Sequence, residues 1–135
     1  MTLFKARLLS VFLPLALSVV SLSAPAAETP AKSSTAKTIL FFGDSLTAGY
    51  GLDNPAQAFP GVIQEKINAE KLPWRVVNAG LSGETTAGGV RRLDWILRQP
   101  VDIFVLELGG NDGLRGLPPD VARANLQSII ERVRR

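Results

Sequence analysis

Thr38-Ile39-Leu40-Phe41-Phe42-Gly43-Asp44-Ser45-Leu46-Thr47 decides how the rest of this chain is read. Thr38 to Phe42 are almost continuously apolar, the pattern of a strand covered on both faces. Strands of that kind sit in parallel sheets, which need helical crossovers between neighbours. The chain downstream supplies them. Phe59, Val62, Ile63 and Ile67 recur at helical spacing and predict a helix from about Ala58 to Lys71. Trp74 with Val76-Val77 predicts a second short strand, and Val90, Leu93 and Leu97 a second helix bounded by Pro100. Ile103-Phe104-Val105-Leu106 is a third buried strand, closed by Gly109-Gly110. Pro118-Pro119-Asp120 opens a third helix, with Ala122, Leu126, Ile129, Ile130 and Val133 on one face. Three βα units in series predict an α/β domain with a parallel sheet and right-handed crossovers.

Upstream of the first strand the composition changes. Lys5 and Arg7 precede an apolar stretch from Leu8 to about Leu22, and Ala24-Pro25-Ala26 follows as an A-x-A cleavage pattern. That order predicts a secretory signal peptide over residues 1–26, hence a periplasmic or secreted protein. The apolar stretch, about 15 residues long and broken by Pro14, is short for a membrane span, so no stable membrane anchor is expected after cleavage. Residues 27–37 are polar and bear Pro and Ser, as in a flexible leader, which leaves 38–135 for the folded domain. The chain has no cysteine, so export brings no disulfides and stability rests on packing. Its formal charge of +3 includes Lys5 and Arg7. Without them about +1 remains, which gives no reason to expect a nucleic-acid partner.

The last helix reaches Arg135 with its apolar stripe still running and no Gly, Asn or Pro stop signal. A three-stranded parallel sheet would also leave a buried-type strand as an edge. The expectation is therefore an N-terminal part of a longer domain.

Ligands of parallel α/β sheets bind beyond the carboxyl ends of the strands, and three loops fall there. Gly43-Asp44-Ser45-Leu46-Thr47-Ala48-Gly49-Tyr50 follows the first strand. It has neither the G-x-S-x-G spacing of a nucleophile elbow nor the Lys of a phosphate-binding loop. Asn78-Ala79-Gly80-Leu81-Ser82-Gly83-Glu84-Thr85-Thr86 follows the second. Its small residues let backbone N–H groups face a developing oxyanion, though a Gly-rich turn running into a Thr helix cap reads equally well. Gly109-Gly110-Asn111-Asp112-Gly113-Leu114-Arg115-Gly116 follows the third. Asn111 can offer a side-chain amide to an oxyanion, and Asn and Asp also suit turns for backbone reasons alone.

Taken together, Gly-Asp-Ser-Leu, Asn-Ala-x-x-Ser-Gly-x-Thr and Gly-Gly-Asn-Asp-Gly-Leu-Arg-Gly resemble the first three sequence blocks of the GDSL/SGNH hydrolases. The similarity is greatest to the exported bacterial thioesterase, arylesterase and lysophospholipase group, over about Ile39 to Arg135. The resemblance implies a three-layer α/β/α flavodoxin-like fold, of which this chain holds the first three βα units. It implies that Ser45 is the nucleophile and, through its backbone N–H, one oxyanion donor. Gly83 would donate a second N–H and Asn111 its amide, with Asp44 a supporting neighbour of the nucleophile. The family's fourth block, Asp-x-x-His, supplies the triad acid and base, and it is missing here: the chain contains no histidine at all.

A resemblance of that kind implies hydrolysis of small acyl esters or thioesters (aryl esters, acyl thioesters, lysophospholipids) through an acyl-serine intermediate. No cofactor and no metal are implied, and a complete protein of this type would be a monomer. Leu46, Tyr50, Leu81 and Leu114 are candidates to line an acyl groove, or to pack elsewhere. Losing the base of such a triad lowers kcat about a millionfold, roughly 8 kcal/mol of transition-state stabilisation. The 135 residues alone are expected to bind acyl groups and turn them over very poorly. The alternative is a non-catalytic fragment or a periplasmic acyl-binding pseudoenzyme.

Overall fold

β1 (Lys37–Gly43) is the middle strand of a parallel sheet, flanked by β2 (Trp74–Gly80) and β3 (Ile103–Glu107) in the order β2-β1-β3. The computed structural model describes residues 36–135, so the signal-peptide reading and nearly all of the leader lie outside the described residues. The register pairs Ile39 with Val76 on one side and with Ile103 on the other, and Gly43 with Gly80 and Glu107. All three strands therefore end at one level.

The near-continuous apolar run of β1 is explained by its two covered faces. Leu40 and Phe42 are fully buried on one side, in a cluster with Leu93, Ile96 and Ile129; Phe104, Leu106 and Val77 pack against it. Leu93 and Ile96 come from α3 (Thr86–Ile96) and Ile129 from α5 (Pro119–Val133), two helices that also pack on each other. Phe41, one residue out of phase, meets Phe59 edge-on at 5.3 Å between ring centroids. Phe59 opens α2 (Phe59–Ala69), the helix that connects β1 to β2. The described region is thus α2, sheet, and α3 with α5, in three layers.

Helix starts follow local chemistry. The Thr85 hydroxyl accepts from the Gly88 N–H at 3.3 Å and caps α3. Proline sits in the first turn of both α2 and α5, where its missing N–H removes no hydrogen bond. The expected strands and helices are all present, with β2 extending to Gly80. Three short elements lie where loops were expected: α1 (Ser45–Ala48), a 3-10 turn (Pro55–Gln57) and α4 (Gly110–Leu114). Each is too short to show a helical period, and α1 and α4 stand at the carboxyl ends of β1 and β3. Among the described residues no helix is long and apolar enough to cross a membrane.

Candidate active site

The strand order creates the site. From β1 the chain crosses to β2 on one side and then to β3 on the other, so the strand order reverses at β1, the place where ligands of open α/β sheets bind. Ser45 follows β1 and Asn111 follows β3.

Ser45 is half-buried and takes the first position of α1. Asp44, only 4% exposed, caps that helix: its Oδ1 accepts from the Leu46 N–H at 3.0 Å. The Ser45 N–H precedes the first intrahelical bond, in which the Ala48 N–H donates to the Asp44 carbonyl. The turn is fixed from beneath by Glu107, the last residue of β3. Its Oε2 accepts from the Thr47 hydroxyl at 2.8 Å and from the Asp44 N–H at 3.3 Å. A Cβ on Gly43 would stand 2.6 Å from that carboxylate oxygen and 2.0 Å from the Thr47 hydroxyl, so only glycine leaves room for the bond.

The second loop is anchored at both ends. The Leu81 N–H donates to the Gly43 carbonyl at 3.0 Å. Gly83 is exposed with φ of +77°, a conformation that favours glycine. A Cβ there would meet only Arg115 Nη2, at 3.7 Å. The same guanidinium nitrogen donates to the Gly83 carbonyl at 2.9 Å, joining the second loop to the third.

Asn111 is the central link. Its Nδ2 donates to Asp44 Oδ2 at 3.1 Å and to the Glu84 carbonyl at 2.8 Å. One amide thereby ties the residue before Ser45 to the residue after Gly83. Ser45, Gly83, Asn111 and Asp44 accordingly share one hydrogen-bonded cluster, although both Asn111 N–H groups are engaged within the protein.

Several residues that hold this cluster were not singled out from the sequence. Asp112 is 2% exposed and accepts from the Thr86 N–H at 2.8 Å and the Thr86 hydroxyl at 2.6 Å. Asn125 Nδ2 donates to the same hydroxyl at 3.0 Å. Glu84 pairs with Arg92, and the side chain of Glu84 is 8% exposed. Glu107 carried a readable signal, since a carboxylate ending an otherwise apolar strand calls for a partner. Arg92 carried none, because it sits beside Arg91 on what reads as a solvated helix face.

Leu46, Tyr50, Leu81 and Leu114 are all exposed, between 51% and 87%, on the loops at this edge. A separate groove of about 500 Å³ runs along α4 and α5, lined by Leu117, Ala122, Leu126 and Ile130 among others. None of Ser45, Gly83 or Asn111 lines it. No group of three His, Cys, Asp or Glu side chains among the described residues is placed to hold a metal ion.

Comparison with known proteins shows the family and the fold. The profile of the GDSL-like Lipase/Acylhydrolase family matches residues 41–135. The esterase TesA of Pseudomonas aeruginosa is 41% identical over 104 residues, 76% of this chain and 51% of that protein. The Escherichia coli K12 protein named thioesterase 1/protease 1/lysophospholipase L1 is 40% identical, covering 76% of this chain and 48% of its own length. An arylesterase of Vibrio mimicus is 36% identical, over 77% of this chain and 52% of its own. Among solved structures, the SGNH-hydrolase family esterase AlinE4 superposes with a TM-score of 0.68 at 42% identity, covering 73% of this chain and 53% of that one. The chain spans about half the length of the curated relatives it matches. The three-layer architecture is the flavodoxin-like SGNH fold, and the 2-1-3 order is the beginning of its strand order.

Proposed function

Because the chain belongs to the GDSL-like lipase/acylhydrolase family, we propose that it carries the nucleophile and oxyanion half of an exported serine esterase. Such an enzyme acts on carboxylic esters or thioesters through an acyl-serine intermediate. The observation that supports this reading is the Asn111 amide, which links the Ser45 turn to the Gly83 loop through Asp44 and the Glu84 carbonyl.

In this reading the Ser45 Oγ attacks the acyl carbonyl, and the carbonyl oxygen becomes an oxyanion. The backbone N–H groups of Ser45 and Gly83 receive that charge, helped by their fixed orientation. Asn111 contributes when the substrate oxygen displaces one of its present acceptors. Its bond to Asp44, at 3.1 Å, is the longer and is the one expected to yield. The sequence has no histidine, so the base that takes the serine proton is supplied from outside these residues. Exposed Leu46, Tyr50, Leu81 and Leu114 give the acyl chain an apolar rim. Small acyl esters or thioesters are the substrates, the N-terminal 1–26 stretch directs export, and the working enzyme is monomeric.

The test is hydrolysis of p-nitrophenyl acetate and of an acyl thioester by the protein continued through the coding DNA beyond Arg135, beside its Ser45→Ala variant. A Ser45-dependent rate supports the reading; equal rates in the two refute Ser45 as nucleophile. Ser45→Ala should leave the free energy of unfolding essentially unchanged, within about 0.5 kcal/mol. An in-frame stop codon directly after Arg135 would favour the non-catalytic alternative.

A further inference from the structure

Arg92 lies in α3, away from every residue assigned above to the chemistry, yet its guanidinium reaches both loops that carry it. Nε donates to Glu84 Oε2 at 2.5 Å, and Nη2 donates to the Gly43 carbonyl at 3.2 Å. The guanidinium carbon stands 4.0 Å from the ring centroid of Phe42. Glu84 directly follows Gly83, and Gly43 precedes Asp44-Ser45 by one residue. One planar cation therefore grips the oxyanion loop on one edge and the root of the nucleophile turn on the other, and a core aromatic fixes its plane.

We propose that Arg92 is a positioning residue that clamps the Ser45 turn to the Gly83 loop, setting the spacing between their N–H groups. This rests on the assignment of Ser45 and Gly83 to the reaction made above. Three observations distinguish the clamp from an ordinary surface ion pair. The pair is largely withdrawn from water, with side-chain exposure of 20% for Arg92 and 8% for Glu84. The Gly43 carbonyl also accepts the Leu81 N–H, so it is a junction between the loops and not a free acceptor. Finally, the fold makes room for the carboxylate: a Cβ on Gly88 would stand 1.7 Å from Glu84 Oε1. Any larger residue at 88 forces that carboxylate to shift.

Lysine cannot replace this group. An ammonium has the charge, but it has no fork to reach two acceptors and no plane to lie on a ring.

The experiment is amide-resolved NMR and hydrogen exchange on the full chain, comparing wild type with Arg92→Lys and Gly88→Ala. Gly88→Ala is the informative partner, because it displaces the end of a flexible side chain while favouring the helix, so the fold should persist. Both variants should shift the backbone resonances of Ser45 and Gly83 and the side-chain amide of Asn111. Exchange of the Leu81 N–H should rise about tenfold or more. Sheet amides such as Leu40, and the Thr86 N–H held by Asp112, should keep their protection. Unmoved Ser45 resonances in both variants would overturn the proposal. So would a uniform rise in exchange across the sheet in Gly88→Ala, which would make the pair a general stabiliser. If Arg92→Lys fails to fold, Gly88→Ala alone decides. In the extended protein, Arg92→Lys should lower kcat roughly 10- to 100-fold while KM changes less than about threefold. Absence of wild-type turnover would sink the esterase reading but leave the NMR result to judge the clamp.

Discussion

Replacing Asp112 by alanine should release the third loop from α3. Asp112 is 2% exposed and accepts two hydrogen bonds from Thr86, at 2.8 Å from the N–H and 2.6 Å from the hydroxyl. Thr86 is itself fully buried at the first position of α3. Hydrogen bonds to a charged acceptor contribute about 1.5–3 kcal/mol each. Against that loss, alanine removes a buried carboxylate, whose desolvation opposes folding. Water reaching the opened site would satisfy part of what Thr86 loses. A net destabilisation of about 3 kcal/mol follows, a large part of the 5–15 kcal/mol typical of a domain. With a urea m-value of about 1.5 kcal/mol/M, the midpoint should fall by about 2 M at unchanged m. Asp112→Asn should fall less, by about 1 M, because the amide oxygen still accepts the Thr86 N–H. Its NH2 group, however, meets a hydroxyl that already accepts from Asn125. A midpoint shift under 0.5 M in the alanine variant would refute the reasoning that this pair joins the two elements.

Gly80→Ala should disturb the Ser45 turn from the side: a Cβ at 80 would stand 2.2 Å from the Ala48 backbone nitrogen, which has no freedom to yield. A loss of about 1–3 kcal/mol is expected in thermal unfolding, accompanied by shifted resonances from Ser45 to Ala48. Glu107→Ala leaves the fully buried Thr47 hydroxyl without its acceptor and should lower stability by about 1–3 kcal/mol in guanidinium titration. Glu107→Gln keeps an oxygen for Thr47 and should recover most of that loss.

The layout of strands and long helices was legible because burial on two faces leaves a pattern that short windows can carry. Leu40, Phe41 and Phe42 are all buried, and their unbroken apolarity announced a central strand. The three loops were legible as a group, since their compositions coincide at one sheet edge. Their internal wiring was not. Asp112 in an Asn-Asp-Gly sequence reads as a turn residue, and only the docking of α4 against α3 turns it into an acceptor for Thr86, 26 residues away. Arg92 and Glu84 are separated by 8 residues across a helix start, so no periodicity relates them. Asn111 was read as an amide donor to an oxyanion, and nothing in its loop told that its N–H groups engage Asp44 and the Glu84 carbonyl. Side-chain hydrogen bonding across loops depends on tertiary placement, and no local preference encodes it.

The position of β1 between two later strands also sets a timetable for the chain as it is made. The Asp44 N–H finds Glu107 only across 63 residues, and Asp44 meets Asn111 across 67. At translation rates of about 5–20 residues per second, the Ser45 turn waits several seconds for the groups that shape it. Throughout that interval the run from Ile39 to Phe42 has no second neighbour and remains a sticky segment for chaperones or for other nascent chains. Assembly of the Ser45 turn is thus a late event, completed only when the third strand arrives.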